Sequence, residues 1–353
     1  MQTSWILLVL LILSSAFLFF WGLYSRHRIC QYPFLLGFSF IAFIIPQAVV
    51  IQANPYPATE SSVERVLLMA ILCASMCWLG YKIKIPKSTL IKSKSRLNMG
   101  LLRTGGFLYS CIGCILWMII YSREEARGVG QYWTGIITVY VFFANILNIG
   151  FTVLLLDLLQ KPKLYKVLLI LPGLSMLVTR AVISGRRTGM IFLAFSFMCA
   201  LYFIREILPS RKFMIAGLII ATLTITSVHQ YRVIVKSGNW SDISKINVIE
   251  NFNSLSENEK GKSLELRNAA VFIESTIEQD THQFGASYWD RLVFRWVPAQ
   301  FFGKEFKENL NIGITLNDKY EMLYNLYGYK HQKGTTLTGI GDSFFQFDYF
   351  GCF

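Results

Sequence analysis

The sequence predicts an all-α protein, a polytopic transmembrane helix bundle that carries one large, outward-facing and partly helical loop. Three observations predict this fold class. Of the 353 residues, 54% are hydrophobic and only 16% are charged, and the mean hydropathy is +0.45. Several apolar runs reach the ~18 residues that a bilayer crossing needs and a core helix rarely has. The basic residues lie mainly in short loops between these runs, as in membrane proteins.

Eight apolar segments are predicted to span the membrane as helices, because a helix satisfies its own backbone hydrogen bonds in lipid. The first has neither a basic start nor a small-residue cleavage site, so it is interpreted as a true span and not as a cleaved signal. The predicted spans are residues 4–24, 33–51, 65–81, 104–121, 133–158, 167–183, 188–204 and 213–229.

The positions of lysine and arginine predict which side of the membrane each loop faces. Basic residues concentrate in the loops after the first, third, fifth and seventh spans, so these loops are predicted to be cytoplasmic. The N-terminus and the segment 230–337 then lie outside. That segment holds thirteen basic and thirteen acidic residues, so the membrane part carries the whole net charge of +13. This placement argues against nucleic acid as a partner.

The predicted organisation has three parts. Residues 1–229 are expected to form the transmembrane bundle of about eight helices and residues 230–337 the large outer loop, and residues 338–353 are expected to begin a further, truncated transmembrane helix. The last part has about 15 apolar residues, short of the ~20 that cross a bilayer. Within the loop, apolar residues recur at helical spacing at positions 266, 269, 270, 273 and 277. A second amphipathic stretch, 288–302, is predicted to lie on the membrane surface or to be an ordinary packing helix.

Basic residues near the outer ends of the sixth and seventh spans are candidates for binding an anion. Arg186 and Arg187 lie in the short connection between these spans, where a positive charge opposes the usual bias. A guanidinium group can bind phosphate oxygens with two parallel hydrogen bonds. Arg180, one turn deeper, is expected to face the bundle interior or a cavity. The alternative is that these arginines only reach ordinary lipid phosphates.

The outer loop contains a dense group of aromatic and basic residues. Arg291 and Arg295 have i,i+4 spacing and would share a helix face with Tyr288, and Trp296 follows directly. Aromatic rings stack on sugars and guanidinium groups bind phosphates, so this pattern suits a sugar diphosphate. The alternative is an interfacial anchor at headgroup depth.

Three side chains are candidates for a general base acting on a sugar hydroxyl: His282, Asp342 and Glu305, with Asp290 as a rival. Histidine titrates near neutral pH, although a histidine in a loop is more often simply solvated. The sequence shows no histidine, aspartate or glutamate cluster with metal-ligand spacing, so no metal and no other cofactor is predicted.

Several stretches together resemble the O-antigen and oligosaccharide repeat-unit polymerases of the Wzy type. The resemblance lies in the layout of many spans with one large outer loop, and in motifs from residue 185 onward. The motifs are residues 184–189, 289–295, 297–298, 302–305 and 338–347.

The resemblance implies a GT-C-like, metal-independent glycosyltransferase of the bacterial inner membrane. Such an enzyme joins oligosaccharide repeat units carried on undecaprenyl diphosphate, and its expected partners are that lipid-linked substrate, membrane lipid, and a chain-length regulator and flippase of the same pathway. Two alternatives remain open: an O-antigen ligase, which has a similar layout, and a lipid-linked oligosaccharide flippase, which would have charged residues lining its spans.

Overall fold

The protein is helical throughout the part that the structure describes. The computed structural model describes residues 2–83, 98–122, 136–182, 187–207, 209–237, 240–247, 264–293, 297, 302–314, 316–330 and 336–353. No strand occurs among these residues. Six of the helices are long and apolar enough to cross a membrane, which indicates a membrane-embedded protein.

The helices are numbered here in chain order. Those of the first two hundred and forty residues are α1 (Gln2–Tyr24), α2 (Tyr32–Ala53), α3 (Glu60–Lys82), α4 (Met99–Ser122), α5 (Ile136–Ala144), α6 (Ile146–Gln160), α7 (Leu164–Val182), α8 (Arg187–Arg205) and α9 (Arg211–Ser237). Those of the C-terminal segment are α10 (Glu265–Glu278), α11 (Ala286–Leu292), α12 (Lys304–Asn309), α13 (Leu316–Tyr327) and α14 (Thr338–Phe347). A 3₁₀ turn, Asp348–Cys352, follows α14.

The first six predicted spans are confirmed as long apolar helices: Thr3–Tyr24, Tyr32–Ala53, Glu60–Lys82, Met99–Ser122, Val139–Gln160 and Leu164–Val182. The seventh falls in a shorter apolar helix, Gly189–Arg205, and the eighth within α9. The last apolar segment begins a helix at Thr338, as predicted, but α14 has only 10 residues. It ends at Phe347, because the next residue, Asp348, has a φ of 55°, which is incompatible with a continuing helix.

The chain forms two compact units. The first contains Met1–Lys84, Ala216–Ile225 and Ile249–Phe353, so it combines α1–α3 with α10–α14. The second contains Ile85–Ile215 and Thr226–Val248, and includes α4–α8. The predicted boundaries at residues 229 and 337 remain predictions. The first unit, however, joins the first three spans with the C-terminal segment in one packed structure, which the sequence did not indicate.

Helix α10 is the centre of the first unit and packs against α2, α3, α13 and α14. The helical spacing predicted for this segment is confirmed, and the helix is buried beyond the positions that the spacing identified. Every residue from Leu266 to Thr276 is buried, whereas Ile277, the last position of the apolar repeat, is 37% exposed. Four other helices pack around α10, and its polar side chains can be buried because neighbouring elements supply their hydrogen bonds.

These hydrogen bonds come from both the spans and the C-terminal segment. Arg267 donates to the backbone oxygen of Asn54 at 3.0 Å, and Glu274 accepts from the backbone nitrogen of Thr59 at 2.7 Å. Asn268 accepts from the hydroxyl of Tyr329 at 2.6 Å. Burial lowers the pKa of the Arg267 guanidinium. The contacts with Asn54 and Thr59 place α10 at the ends of α2 and α3 that the sequence assigns to the outer side.

In the second unit, α4 and α6 approach closely because small residues line their contact. A side-chain carbon at Gly150 would lie 2.6 Å from the backbone oxygen of Gly106 and 2.7 Å from the backbone nitrogen of Ser110. At Gly113 it would lie 2.9 Å from the Cα of Leu147. Small residues at such contacts let membrane helices pack backbone against backbone, where the hydrophobic effect contributes little.

Gly150→Ala should therefore separate α4 from α6 and destabilise the protein by about 1–3 kcal/mol, the typical cost of overpacking. Gly105→Ala is the matched control, because nothing lies within 4 Å of a side-chain carbon there. The control gains the same helix propensity, so it should be neutral or slightly stabilising. Thermal unfolding of the two purified variants in one detergent tests this. Equal midpoints would contradict the close contact.

A charged cluster in the second unit connects the ends of three spans. Asp157 in α6 accepts from Nε of Arg103 in α4 at 2.7 Å, and its carboxylate lies 2.9 Å from Nζ of Lys166 in α7. Nζ of Lys166 also donates to the backbone oxygen of Asp157 at 2.8 Å. Asp157 and Lys166 are buried. The sequence placed Arg103 and Lys166 in basic cytoplasmic loops. In the structure Arg103 lies in α4 and Lys166 in α7, where both pair with Asp157.

Candidate functional site

The predicted site residues are described to different extents. The side chains of Arg180, His282, Tyr288, Glu305 and Asp342 are described. Arg187 and Arg291 lie in α8 and α11, but their side chains lie outside the description. Arg186, Arg295 and Trp296 lie outside the described residues. The described helix α11 ends at Leu292, so the shared helix face expected for the pair at positions 291 and 295 stays a prediction.

Three of the five described candidates lie on helix α14 or contact it: Asp342, Tyr288 and His282. Asp342 lies on its buried part and pairs with Lys319 of α13, with 3.0 Å between Nζ and Oδ1. Lys319 is 2% exposed, and its ammonium also lies 4.4 Å from the ring centroid of Phe345 and 5.4 Å from that of Phe272. A lysine this buried is kept in place by its counter-ion and by the faces of the two rings.

Sequence reasoning missed Lys319, which was counted only among the balanced charges of the outer loop. A signal was present in the sequence. Lys319 stands four residues before Leu323, which is buried, so both occupy the same face of α13. A lysine on the apolar face of an amphipathic helix indicates a buried partner, although the sequence alone does not identify Asp342 as that partner.

Tyr288 lies on a different side of α14. Its hydroxyl is 3.4 Å from Oγ of Ser343, and its ring centroid is 6.2 Å from that of Phe347. Helix α11 is preceded by Gly285, whose φ of 92° favours glycine. The turn before α11 is joined to the end of α14, because the backbone nitrogen of Phe284 donates to the oxygen of Gln346 at 2.9 Å. Tyr288 is therefore positioned by α14.

His282 contacts α14 through Phe344, with 5.9 Å between the ring centroids. Positions 342 and 344 of one α-helix point about 160° apart, since successive residues rotate by about 100°. His282 and Asp342 therefore pack on opposite sides of α14 and do not form an acid–base dyad. Nδ1 of His282 is buried and has no hydrogen-bond partner among the described residues.

The other carboxylates of the C-terminal segment have different environments. Glu305 is exposed in the first turn of α12. Asp290 accepts from the backbone nitrogens of Ile312 and Gly313 at 3.1 and 2.8 Å, so it orders the turn after α12. Of the predicted carboxylates, Asp342 alone among the described residues is buried in an ion pair with a lysine.

Two further observations complete the chemistry of the described residues. Arg180 of α7 lies over the ring of Trp117 in α4, 3.7 Å from its centroid, so it is directed towards a neighbouring helix of the second unit. Burial, together with a hydrogen bond to Glu278, raises the pKa of Tyr327. The described residues contain no group of three or more histidine, cysteine, aspartate or glutamate side chains that could hold a metal ion.

No family model matches the chain, and neither a curated protein nor a solved structure matches it. The class of protein is therefore defined by the structure alone. It is an all-helical, membrane-embedded protein whose C-terminal segment folds onto its first three apolar helices.

Proposed function

We propose that the protein is a polysaccharide polymerase with a GT-C-like architecture. It joins oligosaccharide repeat units carried on undecaprenyl diphosphate by glycosyl transfer at the outer face of the bacterial inner membrane. The observation that carries the proposal is the placement of Asp342. This carboxylate is held in a buried ion pair between α13 and α14, which both pack on α10, and α14 also contacts the third span, α3.

In the proposed reaction, Asp342 accepts the proton of an acceptor sugar hydroxyl as the oxygen attacks the anomeric carbon of the donor. The bond from that carbon to the diphosphate breaks, a new glycosidic bond forms, and undecaprenyl diphosphate leaves. Arginines of the outer segment, predicted at positions 291 and 295, stabilise the charge that develops on the leaving diphosphate. Asp342 is favoured over Glu305 because its position is fixed by packing, whereas Glu305 is exposed.

Deletion of the gene tests the proposal, with the surface glycans separated by size on a gel. The expected result is glycan of one repeat length, because assembly and export continue while elongation fails. Asp342→Asn, produced at normal abundance, should give the same pattern. Glu321→Gln is the control because it removes an exposed carboxylate from α13, and it should give a full ladder.

Three other outcomes would contradict the proposal. A full ladder in the deletion strain would exclude a polymerase. Loss of all surface glycan with lipid-linked units trapped inside would favour a flippase. Polymer that accumulates on the undecaprenyl carrier without reaching lipid A core would favour a ligase.

A further inference from the structure

Six of the exposed large apolar side chains in the C-terminal segment lie between the end of α10 and the turn after α12, and each is 46% or more exposed. Phe284 is 77% exposed and Leu292 is 73% exposed. We call the set the apolar rim: Phe284, Trp289, Leu292, Phe302, Phe306 and Ile312. Exposed apolar side chains that lie together mark a surface that contacts a membrane, a protein or a ligand.

Contacts with α3 give the depth of the structure that carries the rim. The thiol of Cys352 donates to the backbone oxygen of Met69 at 3.3 Å. Met69 is nine residues into α3, and a helix rises 1.5 Å per residue, so this contact lies about 13 Å along the span from Glu60. The 3₁₀ turn after α14 therefore lies beside the apolar part of a membrane-spanning helix.

The rim is joined to this end of α14 by hydrogen bonds. The backbone nitrogens of Gln283 and Phe284 donate to the oxygens of Phe345 and Gln346 at 3.0 and 2.9 Å. Ile314 donates to Oε1 of Gln283 at 3.0 Å, which holds the turn after α12 against the start of α11. The rim is therefore attached to the end of α14, which is followed directly by the turn that lies beside α3.

We propose that the apolar rim inserts into the outer-leaflet interface of the bilayer in which α1–α3 are embedded. The occupant of this surface is lipid, because the surface is continuous in structure with lipid-spanning helices. Its composition also fits. Tryptophan prefers the headgroup level, and tryptophan, phenylalanine and leucine form the apolar faces that interfacial helices turn towards the lipid. The inference rests on the fold, with the outer side taken from the loop charges, and not on the polymerase proposal, so either can fail alone.

Spin-label accessibility in vesicles of phosphatidylcholine and phosphatidylglycerol tests the rim. In a variant whose native cysteines are replaced, Phe284→Cys, Leu292→Cys and Phe306→Cys are labelled one at a time. Leu13→Cys, exposed in the middle of α1, gives the lipid reference, and Tyr324→Cys, exposed on α13, gives the water reference. The rim labels should collide with oxygen at least severalfold more than with a water-soluble nickel chelate, as Leu13→Cys does.

Nickel accessibility equal to that of Tyr324→Cys would overturn the proposal. Protection from both oxygen and nickel would also overturn it and would indicate a protein partner or a second copy of the chain. A second measurement does not need the cysteine-depleted background. Benzoylphenylalanine in place of Phe306 in the otherwise native protein should give lipid adducts on irradiation in cells, and adducts with protein alone would contradict lipid as the occupant.

Discussion

Lys319→Met should lower the free energy of unfolding by about 3–5 kcal/mol, because it leaves the buried carboxylate of Asp342 without its counter-ion. The effect should be large because Lys319 is also enclosed by Phe272 and Phe345, so water cannot easily replace the ammonium. Thermal unfolding of the purified protein in detergent measures the loss. Lys330→Met is the control. Lys330 is exposed and lies 5.1 Å from the ring centroid of Tyr324, so its loss should cost under about 1 kcal/mol.

The double variant Lys319→Met/Asp342→Leu separates stability from catalysis. Replacing a buried ion pair by apolar side chains is often neutral or stabilising, so the double variant should recover most of the stability that the single variant loses. If Asp342 is the general base, the recovered protein should still make glycan of one repeat length only. A normal ladder from the stable double variant would remove Asp342 from the reaction.

The single variant has its own contradicting outcome. Wild-type stability of Lys319→Met would show that the pair is not buried as described.

The second large effect is expected at the other buried ion cluster. Asp157→Ala should destabilise the protein by about 3–5 kcal/mol, because Lys166 would stay buried between α6 and α7 without a carboxylate. Thermal unfolding and the amount of protein in the membrane fraction both measure this. Arg103→Gln should have a smaller effect, since the Arg103 side chain is 29% exposed and water can partly replace its contact.

Asp242→Ala is the matched control for Asp157→Ala. Asp242 pairs with Lys245 at 2.7 Å, a distance similar to those at Asp157, but both partners are much more exposed. Exposed pairs contribute little, because water competes for both charges. The control should therefore unfold at the wild-type temperature. Equal losses in the two variants would contradict the idea that burial sets the size of the effect.

The sequence by itself determined the membrane helices. Their signal is local, since about 20 consecutive apolar residues are sufficient to make a helix the favoured structure in lipid, whatever lies next to it. The helix over positions 266–277 was also predictable, because its apolar residues repeat with the helical period. The charges of the loops predict that the N-terminus and residues 230–337 lie outside the membrane. That orientation stays a prediction.

Tertiary structure alone decided which helices are enclosed and which charges are paired. The helix from Leu266 to Thr276 is buried around its whole circumference because other helices pack on every side of it. Its polar side chains can be buried because two distant parts of the chain, near Asn54 and Tyr329, supply their hydrogen bonds. The periodicity of a single segment does not contain those partners. For the same reason the sequence named Asp342 but not Lys319.

The candidate base residues show the same limit. His282 and Asp342 are both predicted from their chemistry, and only the packing of α14 places them on opposite sides of one helix. Chemistry at a site depends on distances of a few ångströms between residues far apart in the chain. The sequence fixes which groups are present, and the fold determines which of them meet.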